Sequence, residues 1–207
     1  MTEGEWLGDT VPNPAGMLVH LRKCVPDRKL RLVACACCRR NRLFMTQCGA
    51  DALVRATEQW AEGTADRGTV VEAFGALKLA PSAHELTRRS VSMEHGFCSG
   101  DAFTSAMYTV HWAMDEEPAT QRWLADLIRD AFGNPFRPAP FYSSWRSSTA
   151  VALASQMYES RDFGAMPILA DALQDAGCDS ADVLDHCRGS GPHVRGCWVV
   201  DLVLGKE

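Results

Sequence analysis

The sequence predicts an all-α protein, a single-domain multi-helix bundle with a buried Cys-rich helix and a packed C-terminal segment. Three observations predict it. Apolar residues recur at three- and four-residue spacing along most of the chain. Capping residues, prolines and glycines punctuate it at helix-length intervals. The one segment whose pattern fits helix or strand equally, "VRGCWVVDLVLGKE", has no visible partner strand elsewhere.

Taken in order, Asn13-Pro14 is a helix opening, with Asn as N-cap and Pro at the first helical position; Met17, Leu18 and Leu21 share a side, and Pro26 ends the helix. Asp27 then caps "RKLRLVACACCRRNRLFM", apolar all round from Leu32 to Cys38 and basic at both ends, the pattern of a helix surrounded by others. Gly49 and Gly63 bound a third helix with Leu53, Ala56 and Trp60 on one face, and "DRGTVVEAFGALKLA" is a weaker fourth. From Pro81 to Gly100 the periodicity dissolves into an expected loop.

Asp101 starts a helix with Phe103, Met107, Val110 and Met114 in register, and Glu117-Pro118 opens another whose Trp123, Leu124, Leu127, Ile128 and Ala131 make the cleanest amphipathic face. Gly133 ends it, and "NPFRPAPFYSSW" is a proline-rich crossing. Ser143 or Ser144 caps the next helix, with Val151, Ala154 and Tyr158 inward; "AMPILADALQDAG" follows, stopped by Gly177; Asp179 and Asp182 imitate a capping box for "SADVLDHC". The final segment is read as helix. Trp112, Trp123, Trp145 and Trp198 sit at core-like spacings.

A chain of 207 residues and 22.7 kDa suits one well-filled domain spanning 1–207, and 46% hydrophobic with 23% charged residues is a globular composition. The net charge of -5 and pI near 5.7 argue against a dedicated nucleic-acid binder, which needs surplus Lys and Arg. The two basic clusters, Arg28 to Arg31 and Arg39 to Arg42, are read as solvated helix ends. No apolar run reaches the ~18 residues of a membrane helix, and the N-terminus carries no hydrophobic signal core, so no membrane partner and a cytoplasmic location are expected. Nine cysteines, several inside apolar helical patterns, disfavour a disulfide framework.

The strings "RKLRLVACACCRR", "FGNPFRPAPF", "SRDFGAMPILADALQDAGC" and "LDHCRGSGPHVRGCWVVDLVLGKE" resemble an uncharacterised bacterial family that occurs as many paralogues in one genome. The resemblance covers the first forty or so residues and everything after about Leu124. It implies no activity, cofactor or catalytic residue. It does imply a common body around a divergent helical insert, residues 62–117.

Three constellations could carry chemistry. Cys35 and Cys38 lie one turn apart, and His193 and Cys197 four residues apart; if the C-terminal segment packs on the Cys-rich helix, the four make a tetrahedral zinc site, with His186 and Cys187 nearby. The competing reading of the two helical cysteines is as small buried hydrophobes. A thioredoxin-type use of this pair is poorer, because it lacks the helix N-terminus that activates a thiol. The second constellation is a Cys-His nucleophile, Cys187 or Cys197 with His186 or His193 as base and Asp182, Asp185 or Asp201 as orienter. The third is an anion site, Arg188 and Arg195 flanking a glycine-rich turn, against which stands pairing of the arginines with Asp182, Asp185 or Asp201. Gly189, Gly191 and Gly196 are read as a backbone reversal with positive φ angles. The leading functional expectation is a non-enzymatic binding or regulatory module with a structural zinc and a protein partner. The alternatives are a small hydrolase or transferase at the C-terminal Cys/His/Asp cluster, and an anion or ligand sensor at the Gly-Arg turn.

Overall fold

The computed structural model describes residues 1–8, 13–22, 24–77, 97–114 and 117–206. The chain is all-α, and among the described residues no strand forms. The helices are α1 (Glu3–Leu7), α2 (Pro14–Leu21), α3 (Asp27–Arg40), α4 (Arg42–Gln47), α5 (Asp51–Ala61), α6 (Arg67–Gly75), α7 (Ala102–Ala113), α8 (Pro118–Phe132), α9 (Ser148–Ser160), α10 (Met166–Asp175), α11 (Ala181–Arg188) and α12 (Trp198–Leu204). Most of the irregular stretch expected over Pro81 to Gly100 lies outside the described residues. None of the described helices is long and apolar enough to cross a membrane.

The chain divides into two compact units, one comprising residue 1 and residues 10–125, the other residues 2–9 and 126–207. In the first, α3 packs against α5 and α7, and its Leu32 to Cys38 stretch is buried on every side, as a helix with no polar face must be. Asn13 and Asp101 cap α2 and α7 as their positions predict, each side chain accepting a hydrogen bond from a backbone N–H three residues on. The helix expected to run on past Arg40 breaks instead at Asn41, whose side chain accepts from Phe44 N at 2.9 Å and so starts α4.

The basic ends of α3 are only partly solvated: Arg40 is exposed, and Arg28 and Arg39 are half-buried. Arg28 pairs with Glu62 at 3.1 Å, Arg39 with the buried Glu58 at 2.9 Å, and Arg40 lies over the Trp123 ring. Arg31, 5% exposed, stacks 3.4 Å from the Trp60 centroid and donates to Gly100 O at 3.0 Å. A carboxylate as buried as Glu58 is tolerated only with such a partner, so Arg39 serves the fold.

In the second unit α9 packs on α10 and α12, and α11 on α10 and α12. Val199, Val200 and Val203 of α12 complete a core with Ala150, Ala154, Leu169, Leu173 and Val183. The final segment is thus a helix, packed on α9 and α11 of its own unit. Trp6 of α1, 1% exposed, donates from Nε1 to Gly133 O at 3.1 Å, while Arg129 Nε donates to Trp6 O at 2.6 Å. Two expected caps move. Ser143 and Ser144 belong to a 3-10 turn ending at Trp145, and Ser147 caps α9. Ser180, not Asp179, precedes α11, without a side-chain cap.

Candidate metal centre

The site is built where α8, the end of α11 and the segment leading into α12 meet inside the second unit. Asp130 follows Leu127 by one turn on the amphipathic α8, which places its carboxylate at the edge of the buried face; it is 2% exposed. Alone it would be severely penalised by burial. Three groups compensate. Val194 N–H donates to Oδ2 at 3.0 Å, and Oδ1 faces His193 Nδ1 at 2.8 Å and His186 Nε2 at 3.1 Å. Burial by itself would raise this carboxyl's pKa; the hydrogen bonds from His186 and His193, with their charge, more than reverse it and hold it below the usual carboxylate value.

His186, on the last turn of α11, also sets Nε2 3.2 Å from Cys197 Sγ. Its ring meets His193 edge-on at 5.0 Å and tilts against Trp198 at 5.1 Å between centroids. Cys197 is fully buried, and burial, then the Asp130 carboxylate, pushes its thiol well above the usual range. Trp198 gains its place from Gly133, whose φ of +66° ends α8 and whose missing Cβ would stand 3.3 Å from the indole.

His193 is the most informative group. Its Nδ1 faces the Asp130 carboxylate and its Nε2 faces Gly189 O at 3.2 Å, so both nitrogens look at acceptors. Desolvation alone would lower its pKa, but the Asp130 hydrogen bond and charge outweigh it and raise it. Without a bound ion the ring therefore keeps its second proton to higher pH than a free imidazole does. With an ion at Nδ1, the Nε2–H to Gly189 O bond is the outer contact that fixes tautomer and orientation in metal-ligating histidines.

The four donor atoms of Asp130, His186, His193 and Cys197 lie within 4.8 Å of one another. Neighbouring ligand atoms around a tetrahedral Zn²⁺ with ordinary bond lengths are about 3.3–3.6 Å apart. The closest approaches, 2.8, 3.1 and 3.2 Å, need about 0.2–0.5 Å of expansion, and a donor pair as wide as 4.8 Å must close by about an ångström. One carboxylate, two imidazoles and a thiolate form a donor set suited to zinc.

Half of the ligand set expected from sequence is present here: His193 and Cys197. Cys35 and Cys38 belong instead to the apolar cluster of the first unit, among Phe44, Ala50, Leu53, Val54 and Phe97, with Cys35 Sγ 3.7 Å from Val54 O. Their shared helix face meets the apolar face of α5, which makes them core. The residues grouped with His193 and Cys197 are Asp130 and His186. Asp130 had a signal: an acid one turn beyond Leu127 and next to Ala131 stands where the periodicity asks for an apolar residue.

Arg188 Nη2 binds Gln174 at 2.7 Å and Asp171 at 3.2 Å on α10. Arg195 donates to Tyr158 O at 2.8 Å, lies over the Tyr158 ring and faces Glu159 at 3.6 Å on α9. The two guanidiniums are engaged by different helices. Arg137 faces Asp182 at 3.7 Å, and Asp201 is buried within α12. Of the three glycines in the turn only Gly196 has a positive φ, +91°. Gly189 instead sits at φ -65° as the C-cap of α11, where its carbonyl serves His193. No family model matches the chain, and no curated protein or solved structure matches it either.

Proposed function

We propose that the second unit is a metal-binding module holding a divalent transition-metal ion, zinc best suited, through Asp130, His186, His193 and Cys197, and that the chain acts as a non-enzymatic binding or regulatory protein. The observation that carries this is the convergence of four buried or half-buried donors on one point, with His193 Nε2 already anchored on Gly189 O. The ion would neutralise the Asp130 and Cys197 charges and tie α8 to the start of α12 across a turn containing Gly189, Gly191 and Gly196. All four positions are filled by protein, as in zinc sites that stabilise a fold.

Elemental analysis of purified protein, followed by chelation and zinc titration, tests this. At a free-zinc concentration a hundredfold above Kd, binding adds about 2.7 kcal/mol. In a chain of this size that raises Tm by about 5–11 °C. His193→Ala and Cys197→Ser should abolish the rise. No bound metal, and no change in melting with chelator or added zinc, refutes the proposal.

A second reading, a Cys-His-Asp nucleophile, is favoured by the 3.2 Å approach of His186 Nε2 to Cys197 Sγ beside Asp130. It is the weaker reading because Cys197 is 0% exposed and its thiolate is disfavoured by burial, whereas a nucleophile needs a lowered pKa and access. Rapid alkylation of Cys197 by iodoacetamide in the folded, metal-free protein would reverse this ranking.

A further inference from the structure

A cavity of about 180 Å³ opens beside the four-donor cluster, and Asp126, Asp130, His186, Gly189, Gly191 and His193 line most of it. One water occupies on the order of 30 Å³, so the space admits an ion with part of its hydration shell. Asp130 and Cys197 are buried, whereas His186 and His193 are half-buried, so solvent reaches the centre past the two imidazoles. Cys197, the fourth donor, is absent from the cavity wall, and an ion entering this way meets it last. Asp126 stands one turn before Asp130 on α8, and residues four apart share a helix face. The two differ in depth: the Asp126 side chain is 49% exposed and that of Asp130 3%. Asp126 Oδ1 holds Arg129 Nη1 at 2.6 Å, which leaves Oδ2 to solvent. Asp126 and Asp130 against the one guanidinium of Arg129 leave the wall negative when the imidazoles are neutral, the state in which they bind a metal. A cleft lined by negative charge draws cations in and raises their rate of entry.

We infer that the centre loads and releases its ion through this cavity, with Asp126 at the mouth taking the hydrated cation first and handing it to Asp130, so that the second unit senses a divalent transition metal reversibly. The inference rests on the metal reading and adds the path and its first ligand. The incoming ion exchanges one water for Asp126 Oδ2, then sheds others as Asp130, His186 and His193 take their places; Cys197 binds last, its proton passing to solvent. Asp126 is outside the final set of four, so it acts on the passage and not on the resting coordination. A ligand that serves only in passage lowers the barrier in both directions, and entry and release both slow without it. A carboxylate that merely adds to the field does otherwise: its loss slows entry and speeds release, because the bound ion is then held less tightly.

The test mixes the metal-free full chain with Co²⁺, whose visible absorption reports coordination, in a stopped-flow cell at fixed pH, and follows release from the loaded protein into excess EDTA. Asp126→Asn is expected to slow both uptake and release roughly tenfold at low ionic strength, the low end of the range for electrostatic focusing in a cleft. Asp126→Glu should keep both rates near those of the parent. Asp175→Asn, which removes an exposed carboxylate from α10 outside the cavity wall, should leave them unchanged. Raising ionic strength from about 0.01 to 1 M shortens the screening length from about 30 to 3 Å and should narrow the difference in entry rate between parent and Asp126→Asn. Asp126→Ala is the second variant should the first not fold, and carries the same expectation. A protein that takes up neither cobalt nor zinc overturns the metal reading and this one with it. Cobalt uptake at an unchanged rate in Asp126→Asn, equal slowing in Asp175→Asn, or release that quickens when Asp126 is replaced overturns the entry path alone.

Discussion

Replacing Asp130 with asparagine probes the centre with the least change in shape. The variant keeps one oxygen to accept from Val194 N–H and loses the charge that faces His193 Nδ1 at 2.8 Å and His186 Nε2 at 3.1 Å. Removing one partner of a buried charged pair costs about 3–5 kcal/mol. For a chain near 200 residues each kcal/mol is about 2–4 °C in Tm, so a fall of about 6–20 °C is expected, towards the lower half because the Val194 bond survives. Melting followed by circular dichroism with chelator present reads this loss. The same melt with excess zinc should show that the variant has also lost most of the zinc-dependent rise. A chelated Tm within about 2 °C of the parent, less than one kcal/mol, would refute the claim that the Asp130 carboxylate is held by charged partners.

Three further outcomes follow. The cluster's pH dependence should change sign with metal. In the chelated protein His193, its pKa raised, contributes stability fully below the ordinary His range and loses it as pH rises through the raised value; Asp130, its pKa lowered, contributes above the carboxylate range and loses it as pH falls through the lowered value. Tm of the chelated protein should therefore decline above about pH 6.5, while zinc-loaded protein gains over the same interval because the ion displaces protons; equal slopes would exclude this account. In a thiol-reagent time course on folded protein, exposed Cys24 should react at once, and Cys37 and Cys187, pushed up by burial to about 12, only on unfolding, as should Cys38 and Cys197; early labelling of Cys187 or Cys197 contradicts the packing described. Gly133→Ala should cost about 1–2 kcal/mol through its left-handed backbone alone, lowering Tm by about 2–8 °C, with the Trp198 contact adding to it; an unchanged melt would show that the turn can relax.

Local chemistry was enough to specify much of the secondary structure. Asn13, Asp101, Gly133 and Gly177 act where short-range rules place them, because a cap or a left-handed turn involves atoms only a few residues apart. The burial of Leu32 to Cys38 followed in the same way from a helix that has no polar face. Asn41, Ser147 and Ser180 show the limit: several neighbouring polar residues could cap, and the path of the flanking chain chose among them.

The candidate site divides along the same line. His193 and Cys197 stood out because two ligand-type residues four apart near a glycine turn are a local pattern. Asp130, 63 residues before His193, entered only through the packing of α8 against the turn, and His186 through the rotation of the last turn of α11. Cys35 and Cys38 have a spacing just as compatible with a metal, yet their common face meets Leu53 and Val54. By itself the sequence determined that the chain is helical, where most helices begin and end, and which residues have the chemistry to bind a metal. Which of those residues face one another was decided only by the tertiary structure, because that depends on the summed burial of whole helix faces and no short-range rule carries it.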